Sequence, residues 1–232
     1  FDQLYTDATP ILKGKTDYHY IYRVNCGGDT YTDEYGQVWS ADVAKGTSNG
    51  WGSTSWADDY KGLNPYLASQ RFTSDPIKGT KDWSLFGHFR FGRHKLAYHF
   101  PLPDGEYRVE LYFTEPWHGT GGNKDCEGLR VFDVAVNDST YINDLDIWAE
   151  TGHDVAYKKV VNATIKGGEL RISFPEVKAG QAIISAIAIA SQNKDISLVA
   201  PAPSNGWSWD NIESVVSTPV SSLPEGKDSR AT

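Results

Sequence analysis

Glu106-Tyr107-Arg108-Val109-Glu110-Leu111-Tyr112-Phe113-Thr114 is the stretch whose reading decides the fold class. Tyr107, Val109, Leu111 and Phe113 alternate with Arg108, Glu110 and Tyr112. Successive side chains of a strand point to opposite faces, so this period of two predicts a half-buried β-strand. Pro103-Asp104-Gly105 immediately before it predicts a hairpin turn. Similar runs occupy residues 18–26, 95–100, 131–137, 157–165, 170–174 and 183–190, with Asn137-Asp138-Ser139 and Gly167-Gly168 as further turn signals. The run at 183–190 is short, Ile-rich and preceded by Ala179-Gly180, which favours strand over buried helix. Seven runs with no long 3.6-residue period, internal repeat or heptad predict an all-β sandwich.

The strand pattern spans residues 18–192, with 1–17 expected to be an extension or linker. Residues 193–232 are Pro- and Ser-rich and read as a tail, although Trp207 and Trp209 within it predict docking onto something. Truncation after Ser191 is therefore expected to leave a folded sandwich. The 232 residues suffice for a substantial core, and their net charge of −8 leaves no uniformly basic face for nucleic acid or anionic lipid. No apolar stretch reaches the roughly 20 residues that span a bilayer. The chain contains no Met, even at position 1, which points to a module excised from a longer protein.

Several residue groups invite a chemical reading. Gly46-Thr47-Ser48-Asn49-Gly50 matches the Gly-x-Ser-x-Gly nucleophile elbow formally, but Gly50-Trp51-Gly52 cannot open the helix that an elbow requires. Glu115, Asp133, Asp144, Asp146, Glu150 and Asp154 are candidates for the pair of carboxylates a glycosidase needs. Thirty acidic residues make some proximity inevitable. His19, His88, His94, His99, His118 and His153 form no His-x-His or His-Glu-x-x-His pattern, so no cofactor or transition metal is expected, and chelation should leave any sugar binding intact. Asp144-x-Asp146 resembles part of a structural calcium site but lacks the Gly and distal Glu of an EF-hand loop. Cys26 reads as a buried apolar residue and Cys126 as a loop residue, a bridge between them remaining open.

Aromatic residues are the strongest lead, 30 in all with 8 Trp. Trp51, Trp56 and Tyr60 are interleaved with Gly, Ser, Thr and Asp. Glu115-Pro116-Trp117-His118-Gly119-Thr120-Gly121-Gly122 lifts a Trp out of a strand end into a Gly-rich loop. Flat rings beside carboxylates and amides suit a pyranose, which has an apolar C–H face and a polar rim. The competing reading packs Trp51, Trp56, Trp83 and Trp117 as satellite core under long loops.

Five blocks in order carry a resemblance: Arg23-Val24-Asn25-Cys26-Gly27-Gly28; residues 33–36 followed by Val38-Trp39-Ser40-Ala41-Asp42; Val109 to Glu115; Arg130-Val131-Phe132-Asp133-Val134; and residues 183–190. Over residues 18–191 the chain resembles the malectin family, also called family-57 carbohydrate-binding modules. Its loops at 51–60, 68–79 and 115–126 are similar to modules appended to bacterial family 2 glycoside hydrolases of the β-galactosidase or β-glucuronidase type. The resemblance implies a jelly-roll-like antiparallel sandwich with ligand-binding loops at one end and no catalysis in the module. It also implies a covalently linked catalytic domain, and a secreted, periplasmic or cell-surface location. By position it assigns oligo- or polysaccharide binding to Trp117 and His118 after Glu115, to Phe91 downstream of Leu85-Phe86 and Arg90, and more loosely to Trp51, Trp56 or Tyr60, with the strand-end Glu115 itself a further candidate binding residue. Animal members carry an acidic residue before the last strand where this chain has Lys178-Ala179-Gly180-Gln181, so the amide of Gln181 stands in place of that carboxylate. The alternatives are a structural module whose aromatics pack on a catalytic domain, and a glycosidase within this chain.

Overall fold

The computed structural model describes residues 10–45, 50–63, 69–93, 95–122 and 124–196. His94, Trp207, Trp209 and positions 46–49 of the elbow match lie outside the described residues. In chain order the strands are β1 (His19–Asn25), β2 (Tyr31–Thr32), β3 (Val38–Ala41), β4 (Gly52–Thr54), β5 (Gln70–Phe72), β6 (His88–Gly92), β7 (Ala97–Pro101) and β8 (Gly105–Phe113). There follow β9 (Val131–Val136), β10 (Ser139–Leu145), β11 (Tyr157–Ile165), β12 (Glu169–Ser173), β13 (Val177–Ala179), β14 (Ala182–Ile184) and β15 (Ala186–Ser191). Two five-residue helices, α1 (Trp83–Gly87) and α2 (Ile147–Thr151), interrupt them. One sheet runs β11-β8-β15-β1-β3-β2 and a second runs β10-β9-β12-β7-β4 with β13 on β9. A small third sheet runs β14-β6-β5. Pairing is antiparallel except between β1 and β3, which run parallel through Val24–Ser40 and Asn25–Ala41.

The alternation in β8 sorts its side chains between two cores. Tyr107, Val109, Leu111 and Phe113 face the interior between the two large sheets, where Phe113 meets Phe132 of β9 at 6.2 Å between ring centroids. Tyr112 faces the other way, its ring edge-on to Trp39 at 5.4 Å and to Phe86 of α1 at 6.0 Å. Leu12, Ile77 and Leu85 complete this second cluster. The strand is thus buried on both faces toward its end rather than half-buried, because α1 and its flanking loops cover the outer face. Glu110 on that face survives burial by collecting four partners: Arg108 Nε at 2.7 Å, Lys158 Nζ at 2.8 Å, and the hydroxyls of Tyr112 at 2.6 Å and Tyr20 at 3.0 Å. A buried carboxylate with charge-assisted donors avoids the penalty of an unpaired ion.

The turns differ in kind. Asn137-Asp138-Ser139 joins β9 to β10 as a hairpin, with Asn137 in the left-handed region. Pro103-Asp104-Gly105 is not a hairpin: β7 and β8 lie in different sheets, so this turn carries the chain from one layer to the other. Gly167-Gly168 makes the return crossing. Asp104 Oδ1 accepts the backbone N–H groups of Gly167 at 2.8 Å and Gly168 at 3.2 Å, pinning the two crossings together. The run at 183–190 is likewise two strands. At Ser185, whose N–H donates to Tyr112 O and whose hydroxyl donates to Phe86 O, the chain leaves the small sheet and enters the large one.

Two expectations change, and one open question closes. Trp51 is a core ring, 8% exposed, stacked on Phe100 at 5.8 Å and edge-on to Tyr22 at 6.4 Å. Gly52 and Ser53 after it open β4, whose pairing with β7 fixes the backbone that sets the indole inward. Cys126 sits in a loop as its neighbours imply and is buried there, and Cys26 and Cys126 are both free thiols, which closes the open question of a bridge. The core also reaches past residues 18–192, since Leu12 is buried at one end and Ile196, 7% exposed, joins the main core at the other. Cutting after Ser191 would remove a core side chain. Ile196→Ala should lower the unfolding free energy by about 2–4 kcal/mol, read as a reduced urea midpoint at unchanged slope.

Candidate functional site

Glu115, the first charged residue beyond β8, is fully buried and organises the loop that follows. Its Oε1 accepts the backbone N–H groups of both Trp117 and His118 at 3.0 Å. Arg130 Nε reaches Oε2 at 2.5 Å and Nη2 reaches Oε1 at 3.2 Å, a two-pronged pairing that only a guanidinium can make. The remaining prong of Arg130, Nη1, donates to the backbone carbonyl of Gln181 at 2.6 Å. One ion pair therefore places Trp117, His118 and the residue entering β14. Burial works to raise the pKa of Glu115, but the bonds and charge of Arg130 and the two N–H groups outweigh it and hold the carboxyl below its ordinary value.

With its backbone fixed, Trp117 projects outward at 75% exposure. Thr120 closes the turn through Oγ1 to Trp117 O at 2.6 Å. Gly119 must be glycine: its φ is +92°, and a Cβ there would stand 2.7 Å from Trp148 Nε1 and 3.0 Å from the Cβ of His153. Gln181 is exposed, and Ala182 after it pairs with Gly92, setting this residue beside the strand that carries Phe91. Phe91 is half-buried opposite Ile183, with Arg71 over its ring at 5.3 Å.

A second buried pair supports the other aromatics. Arg90 Nε donates to Asp42 Oδ2 at 2.5 Å, and the same oxygen accepts Gly27 N–H at 2.8 Å and Tyr98 OH at 2.9 Å. Arg90 Nη1 donates to Ser69 Oγ, which in turn reaches Ser55 Oγ at 3.3 Å. Ser55 caps the 3-10 turn Trp56–Asp59 in a reciprocal arrangement with Asp58. Trp56, 37% exposed, and Tyr60, 62% exposed, pack edge-on at 6.1 Å on this turn.

The structure thus gathers Trp117, His118 and Gln181 around Glu115–Arg130 with Phe91 on the adjoining strand, sets Trp56 and Tyr60 on a separate buttressed turn, and withdraws Trp51 into the core. Glu115 is a scaffold residue with no free face for a ligand. Trp83 is half-buried against the second cluster, its indole N–H on Thr80 O at 3.1 Å. Five of the six candidate carboxylates are engaged as well, and Asp154 meets His153 through one oxygen only. Asp133 accepts Asp144 N–H at 2.8 Å, Asp144 pairs with Lys178, and Glu150 meets Tyr157 OH and Lys159. Asp146 caps α2 at Ala149 and accepts Gly128 N–H, so Asp144-x-Asp146 is spent on structure. Arg130, Arg90 and Asp42 were missed as functional positions although they lie in or beside the recognisable blocks. A guanidinium or carboxylate amid strand residues was the available signal, since burial demands a partner.

Glu115→Gln keeps the shape and removes the charge facing buried Arg130, which should cost about 3 kcal/mol. Because the folded pKa of Glu115 lies below its unfolded value, the stabilisation is complete above about pH 4.5 and is lost as pH falls through the folded value. Urea midpoints from pH 7 to pH 3 should therefore drop less steeply for Glu115→Gln than for the parent. Parallel curves would remove this pair from the acid response.

Comparison with known proteins places these features in a family. The Malectin domain model matches residues 20–197, which includes Ile196 and the candidate binding aromatics Trp51, Trp56, Tyr60, Phe91 and Trp117. Malectin-A of Xenopus laevis is 29% identical over 153 residues, covering 66% of this chain and 48% of its own length. Human malectin is 27% identical over 153 residues, with 45% of its length covered. The chain thus spans about half the length of these relatives. Among solved structures, a β-glucuronidase of Bacteroides uniformis superposes with a TM-score of 0.58 at 21% identity, over 72% of this chain and 18% of that one. The plant receptor-like kinase FER superposes at 0.52 and 18% identity, over 75% and 49%. These two show a shared fold. The family match covers well over half of the sequence, and the chain belongs to the malectin domain family.

Proposed function

We propose that this chain is a non-catalytic carbohydrate-binding module that holds an oligo- or polysaccharide on Trp117. The observation carrying this reading is a rigidly based but outward-facing indole, 75% exposed on a loop whose two following donors are locked by a buried carboxylate. An exposed Trp costs solubility and contributes nothing to the core, whereas its face matches the C–H face of a pyranose. His118 and the amide of Gln181 supply polar groups beside it, and Trp56 with Tyr60 offers a further aromatic surface. Pre-organisation matters because a platform already fixed loses little entropy on binding.

The module acts within a larger secreted, periplasmic or cell-surface glycoside hydrolase, raising the local substrate concentration of a tethered catalytic domain. Support comes from the shared fold with the β-glucuronidase, of which this chain covers a minor share. Isolated, the chain should release no sugar from chromogenic galactosides or glucuronides, because most candidate carboxylates are committed to internal partners. A structural module packing its aromatics on a catalytic domain is the second reading, and a glycan array separates the two.

Trp117→Ala should weaken binding of an array-selected oligosaccharide at least tenfold, a loss of about 1.4 kcal/mol, with thermal unfolding close to the parent. Retained affinity would move the site to Trp56 and Tyr60. A melting transition depressed by many degrees would make Trp117 a packing residue.

A further inference from the structure

Asp75, His153 and Asp154 converge although one of them is far from the others in sequence: one ligand-type atom from each lies within 4.8 Å of the others. The backbone holds this convergence. Asp154 N–H donates to Glu115 O at 3.0 Å, and its own carbonyl accepts Lys78 N–H at 2.8 Å. Lys78 and Val155 form a parallel bridge, closed by Ala156 N–H to Lys78 O at 2.9 Å, which brings the segment from Asp75 alongside the turn between α2 and β11. Asp154 occupies the left-handed region, φ +54°, following Gly152 at +81°. For a non-glycine residue this conformation costs energy that the surroundings must offset.

The side chains are poorly satisfied in return. Asp154 is 7% exposed; its Oδ2 lies 3.0 Å from His153 Nε2, while its Oδ1 is buried without a hydrogen-bond partner among the described residues. His153 Nδ1 is also buried and unpartnered. Glu110, Glu115 and Asp42, whose carboxylates are also buried, each collect several donors, among them an arginine. Asp82 shares with Asp154 one oxygen unpartnered among the described residues but meets Tyr31 OH and Glu34 N–H through the other. Asp154 has no arginine partner among the described residues, and burial is the largest influence on its carboxyl, raising its pKa.

We infer that Asp75, His153 and Asp154 form a binding site for a first-row divalent cation such as Zn²⁺. An imidazole with two carboxylates is a borderline donor set suited to such ions. The 3.0 Å between Nε2 and Oδ2 fits adjacent ligands on one ion held at about 2.0–2.2 Å from each. Asp75 is exposed and closes the set by a side-chain rotation, while water fills the remaining positions. The ion supplies the charge that Asp154 lacks and ties the segment after β5 to the α2–β11 turn. This site stands apart from the sugar-binding reading and survives its failure. Sequence spacing missed it, since the third ligand arrives through a tertiary bridge rather than a short motif.

The test is calorimetric titration of ZnCl₂ into the full chain stripped with chelator, with MgCl₂ in parallel. One Zn²⁺ per chain should bind, Mg²⁺ much more weakly, and saturating Zn²⁺ should raise the melting temperature as binding to the folded state requires. Asp75→Asn and His153→Gln should each weaken Zn²⁺ at least about tenfold, the scale on which site residues act. Asp75 is exposed, so its variant folds even where Asp154→Asn does not. Absence of stoichiometric binding to the parent overturns the proposal, as does parental affinity in both Asp75→Asn and His153→Gln, which would put the ion elsewhere.

Discussion

The Glu115–Arg130 pair is the constraint on which the loop end of this domain depends. A buried carboxylate and guanidinium are costly to desolvate and are retained only when nearly every donor and acceptor is used. Here they are: Glu115 takes two prongs from Arg130 and two backbone N–H groups, and Arg130 spends its third prong on Gln181 O. Three chain segments distant in sequence thereby acquire fixed relative positions without themselves packing as core. Asp42–Arg90 does the same for β6 and, through Ser69 and Ser55, for the turn of Trp56. Irregular backbone at the end of a sandwich lacks ladder hydrogen bonds, and the two ion pairs substitute for them.

This arrangement separates two uses of aromatic residues that composition alone merges. Rings on strands, such as Phe100 and Tyr98, pack in the main core, joined by Trp51 immediately before β4. Rings on buttressed turns, such as Trp117 and Tyr60, face outward. The difference lies in the backbone: a ladder-paired segment turns alternate side chains inward, whereas a segment held by its own N–H groups does not.

The strand framework was legible because alternation is a local signal. Each of the seven runs contains strand, and Tyr107, Val109, Leu111 and Phe113 face one core as their spacing requires. What lay beyond reach was non-local. Pro103-Asp104-Gly105 has the composition of a hairpin turn, and only the partners of β7 and β8 reveal a crossing between layers. The short strands β2, β4, β5 and β13 borrow their conformation from neighbours and carry little pattern of their own. Trp51 was misjudged because Gly and Ser beside it suggested a loop, when they line a strand close-packed against Ala44 and Lys45. Trp117 was readable from Pro116 and the glycines that follow; Arg130, which fixes it, was not.

The first and last strands of the large sheet are partners, His19 opposite Ser191, and β15 lies between β1 and β8. The strand made last thus fills the middle of the sheet. During vectorial synthesis β1 and β8 have no shared neighbour until residues 186–191 appear, so the nascent chain carries two open strand edges and an incomplete core. Long-range closure of this kind slows folding and exposes aggregation-prone edges meanwhile. Closure of the large sheet therefore waits on the last strand of the domain, whatever the earlier strands have already formed.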